Sequence, residues 1–580
     1  MEKLYLREFI KKLKLRLHKF SREELDSIII EHAKCLSPDQ RQEFLDIFAT
    51  FQKAKTRKSI KIIKDSLLKE IKEFGDQAKN YEFTTGWGWD HEYRDERAWG
   101  DDSWVPEIDN LFGRIDDFYE AGNFKFAKHA YRMLLDIYYS GIEESYFSGY
   151  EYNSMIETDI QETQLKYYRC IYLTEETSSR PGILFDTISR RSWYSYDFSL
   201  EGMINVSLED LPDWDKFGKL WIDFLKQQKG DKTVNRLLRE AVRFFEGTRG
   251  LEELAKKKGQ EFPGVYVDWL ESLKKEKKYS EMLNAASMGL ESLSETLEIR
   301  AKIADHFQAA AKVLKRDDLV LKSLKESLFA DPSLLRLLNL LDISKNINQR
   351  IDFINEALSR FSIIKKRRAN SKKQRFFINQ SPDLSENNVP DTLEICCLLL
   401  KGDYKEAASH IKASKPLGWT HIEKSNAIIV SFFLYAKWNK KRPLTSNLDK
   451  LWKMSTEFNP TPFYYREGVY PDKDIDSRFR SYIENTLKEF PLDEQEKENY
   501  FSSAKKVAYA RINAIVSNKH RKSYWKAAEL VLAIAEIFWS NSEFKKGQML
   551  INHFQKKYNR HSAFQRELKN AIKESSLQFC

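Results

Sequence analysis

Helix breakers are scarce in this chain: its 580 residues include only 14 prolines and 21 glycines. So little punctuation excludes a sheet-rich protein of many tight turns and favours long helices with short connections. Cysteine is equally thin, five residues with Cys580 among them. That excludes a disulfide framework and points to a reducing, cytoplasmic setting. Long apolar runs are lacking too. The longest, "NAIIVSFFLYA" (426–436), falls well short of the roughly 20 residues a bilayer span needs. The basic stretch "MEKLYLREFIKKLKLRLHKF" has charges throughout its apolar pattern and does not read as a secretory signal. Nor does one sign of charge dominate. Lysine and arginine number 96 against 87 acidic residues, a net of +9, which permits attraction to nucleic acid without implying it.

What is present is material for burial: 42% hydrophobic residues, 13% of the chain aromatic. That suffices for about three to five packing units or one elongated repeat array. Phe9, Ile10, Leu13, Leu17 and Phe20 recur at helical spacing. Ser21 with Glu24 forms a capping-box pattern ahead of "ELDSIIIEHAKCL", and Ser37-Pro38 opens a further helix.

A turn signature then recurs. Gly122-Asn123-Phe124-x-x-Ala127 returns as Gly402-Asp403-Tyr404-x-x-Ala407. Glycine permits a tight reversal between helices, the aromatic fills the gap, and alanine allows a close crossing. Degenerate forms keep Tyr279 without the glycine, and Tyr524 with Ala527 and Ala528. The pattern predicts an all-α fold, a divergent α-solenoid of tetratricopeptide-like hairpins. The expected divisions are an N-terminal helical segment (1–80), an aromatic and acidic loop (81–105) and a helical-repeat body (106–362). A basic and polar linker (363–392) then leads to a C-terminal body (393–580). Residues 456–479 read as a second, structured loop.

Three places invite a chemical reading. The loop "YEFTTGWGWDHEYRDERAWGDDSW" (81–104) crowds carboxylates around His91. It lacks the His-Glu-x-x-His zinc spacing and the alternation of an EF-hand, so no metal site is expected. Its tryptophans, Trp87, Trp89, Trp99 and Trp104, are expected to pin the loop against the helices and to offer a rim for a protein partner. The basic run Lys365, Lys366, Arg367, Arg368, Lys372, Lys373 and Arg375 is the densest charge in the chain. As a solvated linker or a nucleic-acid contact it would be exposed, together with Lys519-His520-Arg521-Lys522. The cysteines carry no catalytic signature, and Cys35, Cys396 and Cys397 sit in apolar helical patterns as structural thiols. No catalytic residue and no cofactor is expected.

Three stretches, "KKYSEMLNAASMGLESL…SLFADPSLLRLLNLL" (277–341), "LLLKGDYKEAASHIKASKPLGWT" (398–420) and "AIVSNKHRKSYWKAAELVLAIAEIFW…ELKNA" (514–571), resemble the helical region of bacterial SWIM zinc-finger proteins. The chain has no Cys-x-Cys followed by Cys-x-His, so the resemblance implies the scaffold and not the zinc finger. In size and layout only, it is also similar to the helical protein cut by the RNA-guided caspase-like protease of type III-E CRISPR systems. That likeness would make linker 363–392 a cleavage site. The expectation is a cytoplasmic, bacterial, non-catalytic scaffold that binds proteins. The alternatives are a cleavage-controlled regulator in antiviral defence and a nucleic-acid binder.

Overall fold

The computed structural model describes all of the chain except residues 1–5, 18, 36–59, 84–86, 91–94, 99–102, 148–154, 191–197, 229–231, 372–381, 412–424, 440–445, 457–474 and 576–580. Among the described residues the fold is all-α apart from one small hairpin, and the chain divides into two compact units, 1–254 and 255–580. No described helix is long and apolar enough to cross a membrane.

The first unit holds α1 (Leu6–Leu17), α2 (Arg22–Cys35), α3 (Ile60–Lys79), β1 (Trp87–Asp90), β2 (Asp95–Ala98), α4 (Trp104–Glu120), α5 (Phe124–Glu143), α6 (Ile160–Thr174), α7 (Arg180–Arg190), α8 (Leu200–Asn205), α9 (Trp214–Gln227) and α10 (Lys232–Phe245). The capping box read at Ser21 is formed: Ser21 N–H donates to Glu24 (2.7 Å) and Glu24 N–H to Ser21 Oγ (3.2 Å). The helix expected from Ser37 lies outside the described residues. Helix α5 packs between α3 and α6, and α6 is buried on every side from Thr163 to Tyr172. A helix buried all round must satisfy its polar groups internally. Lys166 reaches Asp116 (2.8 Å) and Glu162 (3.2 Å), and Asp116 also accepts from Tyr131. Burial opposes the charge on Lys166, yet the two carboxylates outweigh it and its pKa is raised. Wholly buried Arg169 donates to the carbonyls of Met203 and Glu209, which fixes the chain leaving α8.

Helix α11 (Gly247–Lys258) contains the division. The second unit continues with α12 (Gly264–Lys275), α13 (Tyr279–Ser292), α14 (Arg300–Val313), α15 (Asp317–Ala330), α16 (Leu334–Leu341), α17 (Ile347–Ser371), α18 (Asp391–Lys401) and α19 (Tyr404–Ser409). It ends with α20 (Ser425–Lys437), α21 (Ser446–Thr456), α22 (Ile475–Glu489), α23 (Glu494–Ser517), α24 (Tyr524–Ser540), α25 (Phe544–Lys557) and α26 (Ser562–Glu574). One apolar core runs from Ala311 to Ala571 and includes Phe361, Ile364, Val389 and Leu393.

The same reversal joins successive helices in both units. Gly122, Lys277, Lys315, Gly402, Lys519 and Ser542 all have φ between +57° and +83°. At each, that residue's N–H bonds the carbonyl three residues back and the following N–H bonds the carbonyl five back. These two bonds satisfy the orphan carbonyls of the preceding helix, a Schellman closure. The alanines of the sequence signature, Ala127, Ala407, Ala527 and Ala528, are all fully buried.

Several expectations change. The aromatic stretch 81–105 is not an irregular loop: β1 pairs antiparallel with β2, Trp87 opposite Ala98 and Asp90 opposite Asp95. The boundary at 363–392 gives way to the division at 254, because α17 carries the basic run onward to Ser371 and the core continues on both sides of it. Of the loop expected over 456–479, residues 475–479 already belong to α22. Cys170, Cys396 and Cys397 are buried, and burial pushes each thiol well up.

Candidate functional site

Trp104 is no partner-binding rim. It begins α4 with none of its surface exposed and stacks on Phe147, ring centroids 4.5 Å apart. Phe83 and Phe74 complete that cluster. Trp87 and Trp89 have their backbone in β1, their side chains lie outside the described residues, and Trp99 does as well. Among the described residues no group of three or more His, Cys, Asp or Glu could hold a metal ion. His91, Glu92, Asp101 and Asp102 are not among them.

The basic run divides. Lys372, Lys373 and Arg375 lie outside the described residues, whereas Lys365 to Arg368 occupy the last turns of α17. Their partners come from the returning segment 385–394. Lys365 Nζ bridges Asp391 (2.5 Å) and Glu394 (2.6 Å). Burial works against its charge, but the paired carboxylates raise its pKa. Arg368 donates to the carbonyls of Glu386 (3.4 Å) and Asn387 (3.2 Å), and Arg367 to Asn387 Oδ1 (2.8 Å). Lys366 stays exposed. Most of the described run is therefore engaged within the fold and is not a solvated linker.

Asn387 organises the site. Its N–H donates to Thr296 O (2.8 Å) and its Nδ2 to the carbonyls of Glu295 (3.2 Å) and Phe329 (2.9 Å). With Oδ1 held by Arg367, this buried amide has every hydrogen-bonding group engaged. Glu298 N–H donates to Ser385 O (2.8 Å), so the segment after the basic run straps onto the connection between α13 and α14. Beside it, buried Arg300 donates to Leu293 O (2.7 Å) and Leu290 O, closing the end of α13, and to Glu326 (2.8 Å).

Outward from this strap lies a groove of about 450 Å³ between α15 and α17, lined by Lys322, Lys325, Glu326, Phe329, Glu356 and Arg360. It adjoins a cavity of about 30 Å³ bordered by Arg300, Arg367 and Asn387, roomy enough for about one water. Arg360 sits over the Phe329 ring (5.5 Å) and reaches Glu295 (3.3 Å). Lys325 pairs with Glu356 (2.6 Å) above the Phe353 ring (5.3 Å). Charges paired on the rim of an open groove are cheap to exchange for a partner's charges, since exposed pairs contribute only about 0–1 kcal/mol each. The arrangement offers alternating charge beside the Phe329 and Phe353 rings. Sequence reasoning missed it, because Lys325, Phe329, Glu356 and Arg360 look like ordinary helix-surface residues until α15 and α17 lie side by side.

No protein-family model matches the chain, and no curated protein matches it.

Proposed function

We propose that the chain is a non-catalytic helical-repeat scaffold that binds other proteins, its second unit a divergent α-solenoid of tetratricopeptide-like hairpins. The observation that carries this reading is the repeated reversal at Lys277, Lys315, Gly402, Lys519 and Ser542. Stacked hairpins of one geometry bury their apolar faces on their neighbours and leave extended faces for display. The described polar clusters fit that reading, because Asp116 with Lys166 and Asn387 with Arg367 form internal bonds that position helices. The kinship with the helical region of SWIM zinc-finger proteins belongs to the same proposal, as does a cytoplasmic, bacterial setting.

The groove between α15 and α17 is the proposed seat of the partner. A photo-crosslinking residue placed at exposed Ser359, on the groove wall, should give one discrete protein adduct in cells. Lys325→Glu with Arg360→Glu should abolish that adduct. An unchanged adduct in the double variant, or none with the unaltered groove, overturns the reading.

A cleavage-controlled role requires that cutting between 363 and 392 release a part of the chain. The core shared by Phe361 and Leu393 opposes release. A specific protease site introduced within 372–381 should, once cut, leave two fragments that still co-elute. Their separation would favour the regulatory alternative instead.

A further inference from the structure

Lysine and arginine nearly balance aspartate and glutamate over the whole chain, 96 to 87. Two segments of the second unit depart from that balance. Residues 513–528 ("NAIVSNKHRKSYWKAA") and 553–566 ("HFQKKYNRHSAFQR") contain eight lysines and arginines and no aspartate or glutamate. They are far apart in sequence, and the fold brings them together. Tyr558 donates to Asn513 Oδ1 (2.8 Å) and meets Ser517 Oγ (3.1 Å), and Lys557 Nζ donates to the same Asn513 (2.9 Å). Phe564 contacts both Tyr524 (6.0 Å between ring centroids) and Tyr558 (5.7 Å). The turn leaving α23 and the turn leaving α25 therefore share one end of the helical stack.

We propose that this end binds single-stranded nucleic acid, with Lys519, Arg521, Lys522, Lys556 and Arg560 contacting phosphates and Trp525 stacking on a base. All five cations are exposed, and among the described residues none has a carboxylate partner. This is the opposite of Lys365, whose two carboxylates occupy it. Like charges kept together without counter-charges are tolerated because water and salt screen them, and a polyanion that displaces those ions gains their release. Trp525 adds the second half. It is 41% exposed beside the cations, with the Lys526 ammonium 5.2 Å from its ring centroid. A ring left open at a basic surface suits an unpaired base, whose face stacks on an aromatic side chain for about 1–3 kcal/mol. A duplex hides those faces, and an acidic protein surface would need the cations alone.

The test is fluorescence anisotropy on the full chain with a labelled 20-nucleotide mixed-sequence RNA or DNA strand, its duplex, and polyglutamate as competitor. Single strands should bind in low salt, and log K should fall with log salt by about 0.7 per phosphate contacted. Arg521→Glu, Lys522→Glu, Lys556→Glu and Arg560→Glu together should weaken binding at least tenfold and flatten that slope. Trp525→Ala should weaken it about tenfold with the slope unchanged, and Trp525→Phe should retain part of it. Lys69→Glu, an exposed control in the first unit, should do nothing. Absence of binding, indifference to the fourfold charge reversal, or duplex binding as tight as single-strand binding and insensitive to Trp525→Ala would each overturn the proposal. Displacement by polyglutamate as readily as by unlabelled strand would also overturn it, in favour of an acidic protein partner.

Discussion

The two units build their cores from different materials. Among the largest wholly buried side chains, Trp104, Trp221, Tyr119, Tyr131, Tyr138, Tyr168, Tyr172 and Arg169 lie in the first unit, against Trp452 in the second. The second unit is filled mainly by leucine, isoleucine, valine and alanine, as along α20 and α24. Tyrosine brings a hydroxyl into the core that must find a partner. The first unit supplies several of these, Asp116 for Tyr131, Gln164 for Tyr139 and the Pro212 carbonyl for Tyr172. Such pairings specify one arrangement and tolerate little exchange. The aliphatic core is set instead by a repeated backbone geometry, which many side chains satisfy. A core wired by particular bonds suits a unique body, and one set by repetition suits an array that can display different surfaces.

That contrast can be broken most forcefully at Trp104. Trp104→Ala should cost about 3–5 kcal/mol, read as lost hydrogen-exchange protection confined to the first unit. Leu532→Ala, in the middle of α24, should cost about 2–4 kcal/mol and be felt only in the second unit. Loss in both units from either change would erase the division at 254.

Next in size is Asp116→Ala, which leaves the nearly buried Lys166 ammonium with Glu162 alone and strands the Tyr131 hydroxyl, at a cost of about 3 kcal/mol. Adding Lys166→Met should recover much of that loss in a denaturant titration. Equal cost for single and double variants would mean that packing, not charge pairing, sets the site.

A pH-dependent difference should separate the units as well. Burial, helped by Lys274 and Lys302 and opposed by Asp305, pushes His306 of α14 down to about 4 from the usual 6.5. The folded chain then refuses a proton that the unfolded chain accepts. Stability is therefore full above about 6.5 and falls toward pH 4, by about 1 kcal/mol per pH unit. His306→Gln should flatten that part of the second unit's pH profile. An unchanged profile would show that other groups carry the acid sensitivity.

The smallest expected effects lie in the shared turns. Lys315→Gly removes the cost of holding a side chain at φ +57° and should stabilise α14 and α15 by about 0.5 kcal/mol, since glycine also loosens the unfolded chain. Gly122→Ala should cost about 1 kcal/mol. If both changes were neutral in thermal melts, the reversal would not be the organising feature of the hairpins.

The glycine-bearing turns at 122 and 402 were legible, because glycine marks positive φ in the sequence. The turns at Lys277, Lys315, Lys519 and Ser542 were not: a lysine or serine there looks like any surface residue, and the closing hydrogen bonds are made by the backbone. Of the two parts expected of Trp104, pinning its stretch and offering a rim, only the first holds, because Phe147 and Phe74 arrive from other elements and close over it. The basic run misled in the opposite sense. Its charge was plain, but the carboxylates of Asp391 and Glu394 that pair with Lys365 lie beyond the polar stretch and meet it only when the chain returns.

Composition and periodicity alone determined that this chain is helical among its described residues, that its helices reverse sharply, and that Cys396 and Cys397 are buried thiols. Each of these depends on the local backbone or on hydrophobic patterning. The tertiary structure alone decided where the units divide, which cations are answered and which are left open, and that residues 513–528 and 553–566 form one basic end. Charge and stacking act through space, and a linear order does not record which side chains the folded core brings within reach.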